Sequence, residues 1–587
     1  MCAGSDLRVY RDPANTESGY DLGLPALLKR IYDGTWPSSP LLSGLFFAAV
    51  LAAGTFAAFS TPHRFHRWAP FLAGFILFPG AVNLYRAADK KWRPAYTVLS
   101  AAAVCVVFGV CILTWGNHQF AAWDLSLMVD VGWRLVQGQV PYRDFVCPLP
   151  PGFMLGVEYA YRFFGVHWES ILILNAFFAA ATFLWINGLL RMLLRLRVTA
   201  FLVAIVIECA GILPIAYWWH NAIASIASTV FYLSCLCCLQ RPASRAAQIS
   251  FVAGLVMVGM MKPNTALPMA VGCTVLVLLG TSERLRFLLL TAVAAGCLLL
   301  FLPANHVSIS GLVHAYRTAA VARGVSSFGI DILKPAERMR LGVFVTILLL
   351  PGLVLWFRFA LDALRRFDIR ALSLSALLLL GPVVGVFAMF TNGEMKDTDF
   401  PLLIAFGSVT LWGFMGDKSE AVGRIYATFL FGLAASDLYL GYSRARIEFA
   451  EHAFFEFADT DYNPGVPYFQ NMHASKGMQD VVREMRKALG ETSRPVFLGP
   501  SLEFGYAAFQ LPSPLHLPVW WHQGTSYAAA DEASLAEIWR NSGFATLIFL
   551  RDGFQHTPDA IQRIIRESYV KDDRWPDLDV YHRESLR

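Results

Sequence analysis

Residues 115–153 read WGNHQFAAWDLSLMVDVGWRLVQGQVPYRDFVCPLPPGF, a long polar interruption that follows three apolar runs and precedes another. Lipid cannot satisfy the polar groups of irregular backbone, so a connection of this size between membrane spans has to leave the bilayer. Aromatics stand beside acids throughout it: Trp123, Asp124, Asp130, Trp133, Tyr142 and Asp144. The middle, 124–136, predicts a short helix opened by Asp124 and stopped near Gly138. The double proline Pro150-Pro151 then fixes how the chain enters the next segment. Two readings of Asp124 stand side by side. Either it presents a carboxylate to a lipid-linked substrate at the membrane surface, or it only caps the helix, with Asp130 and Arg134 forming an i,i+4 surface pair.

Outward from this loop, the bulk numbers agree with a membrane setting. Of 587 residues, 56% are hydrophobic and only 16% charged, which places the chain among polytopic membrane proteins. A net charge of +5 is too slight and dispersed to argue for nucleic acid. A span needs about 20 mostly apolar residues. Candidates are 41–60, 69–85, 96–115, 169–190, 198–217, 221–240, 247–261, 264–280, 286–303, 341–357, 371–390, 400–416 and 421–440, about thirteen in all. The basic clusters Arg86/Lys90/Lys91/Arg93, Arg191/Arg195/Arg197, Arg241/Arg245, Arg284/Arg286 and Arg358/Arg365/Arg366/Arg370 all fall on one face if the N-terminal segment 1–40 is cytoplasmic. The opposite face then receives the 116–168 loop, the Trp218-Trp219-His220-Asn221 corner, the 304–340 and 391–399 loops, and everything after Tyr442. Eight of ten cysteines lie in apolar runs, and Cys2 and Cys147 fall on opposite sides, so no disulfide framework is expected.

The tail, 443–587, changes character. It is charged, with one short apolar strand at a time: helices are expected over 477–489, 534–541 and 557–567, and strands over 495–498, 544–550 and 579–582. That alternation predicts a small extracytoplasmic α/β domain. Gly499 and Gly505 make no dinucleotide fingerprint. The Trp-rich 511–524 is a long loop whose aromatics meet sugar, the membrane surface or the rest of the chain.

Further candidates punctuate the apolar region. Lys262-Pro263-Asn264 breaks an apolar stretch, where the lysine either snorkels or meets a lipid phosphate. His220 and Asn221 follow two tryptophans and belong either to an interfacial aromatic belt or to a site. In 391–400, TNGEMKDTDF, Glu394 and Lys396 are candidate donor contacts. Asp397 and Asp399 have only an acid-x-acid spacing behind a divalent cation, and hard cations need several oxygen ligands. No metal or other cofactor is expected. The 304–340 loop is basic, with an amphipathic helix expected over 311–323. Glu208 lies within a span, where an ionisable group is costly and often functional. No nucleophile elbow, P-loop or H-E-x-x-H occurs.

The acid outside an early span, the short helix, then Gly138, Pro141, Tyr142, Asp144, Pro150 and Pro151 together resemble the first external loop of the GT-C glycosyltransferases. The similarity is greatest to the protein O-mannosyltransferase and lipid A aminoarabinose transferase type. Leu125 stands where many relatives carry a second acid. The resemblance covers about 41–442 as a GT-C-like transmembrane domain. It implies a glycosyltransferase of the bacterial inner membrane with Asp124 as its catalytic carboxylate, the general base. It further implies a polyprenyl-phosphate sugar as donor and an extracytoplasmic glycolipid, polysaccharide or protein as acceptor. Asp130, Arg143, Asp144, His220, Lys262, Asn264, Glu394 and Lys396 are the candidate substrate contacts. From another class comes a lipid or polysaccharide transporter or flippase, with Glu208 as its credential, and a third reading is a non-catalytic protein of envelope assembly.

Overall fold

The computed structural model describes residues 93–120, 122–194, 197–213, 215–323, 335–391, 400–415, 463–492, 494–523, 526–551 and 553–584. Contacts divide the chain into Met1–Pro94 and Ala95–Arg587. In chain order the described helices are α1 (Arg93–Gly116), α2 (Ala122–Val136), α3 (Pro151–Phe164), α4 (Trp168–Leu193), α5 (Arg197–Gly211), α6 (His220–Gln240), α7 (Arg245–Gly259), α8 (Pro263–Gly280), α9 (Arg284–Ala304), α10 (Ile309–Arg323), α11 (Pro335–Arg366), α12 (Ile369–Thr391) and α13 (Pro401–Met415). In the tail come α14 (Lys476–Glu491), β1 (Val496–Leu498), α15 (Phe504–Ala508), α16 (Glu532–Asn541), β2 (Thr546–Leu550), α17 (Asp559–Ser568), β3 (Tyr569–Asp572) and β4 (Leu578–Arg583).

Five of the described helices, α1, α4, α6, α9 and α12, contain stretches long and apolar enough to cross a membrane. Four more are apolar but shorter: Thr199–Gly211, Arg245–Gly259, Thr265–Gly280 and Pro401–Leu411. The expected spans at 41–60, 69–85 and 421–440 lie outside the described residues. Two expectations need adjustment. The 198–217 run ends its helix at Gly211, and a helix already starts at Pro335 inside the expected 304–340 loop.

The bundle is built around α6, whose spanning window is buried throughout. Between Asn221 and Leu239 it carries no ionisable carboxylate or cation, and its Ala, Ser and Cys residues let neighbours come close. Gly254 of α7 lies against the Phe231 backbone, and Gly381 of α12 against the Tyr232 ring. The Tyr232 hydroxyl donates to Leu378 O at 3.0 Å, which satisfies its polar end inside the bundle. Pro263 occupies the first turn of α8, where its missing N–H costs nothing, so the chain can restart a helix directly after Lys262.

Two shorter helices, α2 and α3, form the connection between α1 and α4. They pack along one another, with Gly132 against Val157 and Tyr161, a fit that a side chain at 132 would block. The α2 helix ends at Val136 and the chain turns at Gly138, φ +84°, a conformation that suits glycine. In the tail the sheet order is β1-β2-β4-β3, with β1 parallel to β2 and the other pairs antiparallel. Ile561, Ile564 and Ile565 give α17 an apolar stripe that packs on the sheet with Phe497, Leu547 and Trp539.

Candidate functional site

The break before α8 is the first point of convergence. Lys262 Nζ donates to Asn221 Oδ1 at 2.8 Å, so a bond joins the Lys262-Pro263-Asn264 interruption to the Trp218–Asn221 corner. Gly152 N donates to Met260 O at 2.9 Å, and Trp218 Nε1 donates to Phe153 O at 3.0 Å. The start of α3, just after the double proline, is thereby held against both. His220 opens α6 with its ring 4.4 Å from Trp219 and 5.7 Å from Phe153. Trp218 and Trp219 are buried, which is not how an aromatic belt facing headgroups is placed. Asn264 lies in the first turn of α8.

Beside this cluster runs an apolar cavity of about 930 Å³. Its lining includes Gly152, Gly156 and Trp218, Met260 and Met261 directly before Lys262, and Arg245 at the start of α7. The α7 helix that flanks it spans 15 residues, about 22 Å at 1.5 Å per residue.

Asp124 is half-buried and lies in the first turn of α2. The helix starts at Ala122, two residues before the predicted opening, so Asp124 occupies a helical position and is not the residue ahead of the helix. A carboxylate there interacts favourably with the unpaired N–H groups and the positive end of the dipole. Its helix packs on α3, whose first residues are the ones pinned beside Lys262.

Asp130 and Arg134 do form the i,i+4 pair, 2.7 Å apart, but the expectation of a surface pair is wrong. Their side chains are 0% and 2% exposed, because the 511–519 segment of the tail covers them. Ser513 Oγ donates to Asp130 Oδ1 at 2.6 Å, and Arg134 donates to Pro514 O and, at 3.3 Å, to Gln139 Oε1. Trp133 Nε1 and Gln137 Nε2 both donate to Leu511 O, at 2.8 and 2.9 Å. Burial raises the Asp130 carboxyl above its ordinary range, with Arg134 and Ser513 pulling against it. Asp130 is thus taken up by the fold.

Arg143 and Asp144 pair with each other, at 2.7 and 2.9 Å, and Asp144 also accepts from Val140 N at 2.8 Å. The Arg143 guanidinium holds the Asp144 carboxyl below its usual range. Glu394, Lys396, Asp397 and Asp399 lie outside the described residues. Glu208 is fully buried within α5.

Sequence reasoning misses Ser126 and Glu503. Ser126 Oγ donates to Glu503 Oε2 at 2.7 Å and accepts from Phe504 N at 2.9 Å, a buried link between α2 and α15. A serine in a helix and a lone glutamate 377 residues away carry no local signal of this pairing.

No family model matches the chain, and no curated protein matches it. Among solved structures, the chain is similar to ArnT from Cupriavidus metallidurans bound to undecaprenyl phosphate, with a TM-score of 0.46 and 13% identity over 84% of this chain and 98% of that one. It is likewise similar to the apo state of the same protein, with a TM-score of 0.43 and 13% identity over 83% and 98%.

Proposed function

We propose that the chain is an integral membrane glycosyltransferase that moves a sugar from a polyprenyl-phosphate donor to an extracytoplasmic acceptor. The observation that supports this reading is that Met261 and Trp218, which line an apolar cavity of about 930 Å³, directly precede Lys262 and the Trp219–Asn221 corner that Lys262 bonds to. An isoprenoid tail fits such a lining, and its phosphate would then lie against an ammonium and the amide group of Asn221. Asp124 supplies the base: it takes the proton of an acceptor hydroxyl or amine as that group attacks the anomeric carbon. The bond from that carbon to the phosphate oxygen breaks, and polyprenyl phosphate leaves with the electron pair, its charge met by Lys262. Polyprenyl phosphate is a good leaving group, so positioning and charge stabilisation supply much of the rate.

Lys262→Met keeps the stem and removes the ammonium. A charge-assisted bond lost in a poorly solvated site costs about 1.5–3 kcal/mol. Affinity for a long-chain polyprenyl phosphate should therefore fall about ten- to a hundredfold. Affinity for the corresponding uncharged polyprenol, measured on the full chain in nanodiscs, should stay within about twofold, a difference of less than ~0.5 kcal/mol. Equal affinity of parent and variant for the phosphate would return Lys262 to snorkelling.

The distribution of the basic clusters favours a site outside the cytoplasm, with the N-terminus inside. A reporter enzyme fused after Tyr442 is expected to be active only on the extracytoplasmic side. Cytoplasmic activity there would put Asp124 and Lys262 on the wrong face for this chemistry. The buried Glu208 is what favours a flippase instead. That reading predicts movement of a lipid-linked sugar between leaflets of a vesicle with no new glycosidic bond.

A further inference from the structure

The tail does more than cover α2. It meets that helix through two buried polar links, Ser126 with Glu503 and Asp130 with Ser513, both between residues that are nearly or wholly inaccessible. Ser126 is two residues from Asp124, in the same turn region of α2. Its hydroxyl is fully engaged, as donor to Glu503 and acceptor from Phe504 N. Glu503 Oε1, by contrast, is buried with no hydrogen-bond partner. Glu503 immediately precedes α15, and α15 packs directly on α2.

We propose that Glu503 is a positioning residue that, through Ser126, ties the tail to the helix carrying Asp124 and so holds the proposed base in register. The role given to Asp124 rests on the transferase reading above, whereas the tie itself does not.

A carboxyl in this position favours its neutral form. Burial pushes Glu503 up to about 8, the negative charge of Asp130 adds to the rise, and Ser126 and Arg134 oppose it. The charged and titratable groups around it are Asp130 and Arg134 from α2 and Tyr506 from α15. The 467–469 turn packed on α15 adds Tyr468, whose hydroxyl is bonded to Tyr161 at 2.6 Å. Because the value is raised, the tie is fully present below the ordinary glutamate pKa of about 4.3 and is lost as pH rises through about 8. Between those limits each pH unit favours the open form about tenfold.

Hydrogen exchange of the amides of 122–136, measured on the full chain in nanodiscs and corrected for base catalysis, reads this directly. The opening equilibrium of α2 should rise about tenfold per pH unit up to about 8 and then level off. In Glu503→Gln, which cannot titrate but keeps an acceptor for Ser126, the part of the slope that ends near pH 8 should vanish, leaving only what the raised Asp130 carboxyl contributes. In Ser126→Ala, which removes a bond that lowers the Glu503 value, the levelling should move to higher pH. Turnover adds a second readout: Glu503→Ala should lower kcat with KM little changed, and Gln should restore most of the loss. The same pH slope in the parent and in Glu503→Gln overturns the proposal. If Glu503→Gln does not fold, an unmoved levelling point in Ser126→Ala overturns it instead. Exchange needs no substrate, so absence of transfer would count against the transferase reading and leave the tie to be judged by its own result.

Discussion

Asp124→Asn is expected to lower sugar transfer by about 10²-fold or more while the protein remains folded and inserted. The substitution keeps the shape and a side-chain oxygen, and removes the ability to take a proton. Asp124 sits in the first turn of α2, where the interaction of a carboxylate with the helix N-terminus contributes about 0.3–1 kcal/mol. A role confined to the helix would therefore leave transfer within a few-fold of the parent. A suitable control is Glu158→Gln, which breaks a partly exposed i,i+4 pair with Arg162 on the neighbouring α3. Exposed pairs of this kind contribute about 0.3–0.5 kcal/mol. The measurement is single-turnover transfer from a synthetic polyprenyl-phosphate sugar, with unfolding midpoints recorded for each variant. Transfer by Asp124→Asn at the parent rate, with the donor bound, would remove Asp124 from the chemistry.

How much of this is legible in the sequence depends on how local the cause is. A long apolar run is its own signal, and α4, α6, α9 and α12 fall where 169–190, 221–240, 286–303 and 371–390 predict them. The tail strands β1 and β2 likewise lie within 495–498 and 544–550, and β4 runs one residue past 579–582 at each end, since each is a short buried run between polar turns. The β3 strand escapes sequence reasoning, because Tyr569–Asp572 has no such contrast and is held by its partner β4. The Lys262 break can be seen as a break, but its partner Asn221 is 41 residues away. The Asp130–Arg134 pair shows the limit most clearly. Spacing of i,i+4 is identical for a surface pair and a buried one, and what buries this pair is a segment about 380 residues later in the chain. The sequence leaves the 511–524 loop open to sugar, membrane or protein. In the structure its carbonyls at Leu511, Ser513 and Pro514 are taken up by Trp133, Gln137, Gln139 and Arg134. That outcome follows from burial: backbone oxygens covered by another segment need donors, and α2 supplies a row of them.

Arg134→Ala should accordingly destabilise the protein by about 3–5 kcal/mol, the cost of leaving one partner of a buried pair uncompensated. Four interactions disappear together: the 2.7 Å pair with Asp130, the donations to Pro514 O and Gln139 Oε1, and the guanidinium 5.3 Å from the centre of the Phe145 ring. The Asp130 carboxylate would be left buried with Ser513 as its remaining donor. Replacing both members, Asp130→Leu with Arg134→Met, removes the charges at once and should cost less than Arg134→Ala alone. Pro514 O loses its donor in both proteins, so the double replacement newly strands only Ser513 Oγ, at about 1–3 kcal/mol. Denaturant unfolding of the full chain in detergent measures all three proteins. Because water and salt do not reach the pair, the loss in Arg134→Ala should hardly change between low and high ionic strength. A loss below about 0.5 kcal/mol, vanishing at high salt, is what an exposed pair would give. That result would mean that the tail does not seal α2 in solution, and the Glu503 tie, which needs the same seal, would fall with it.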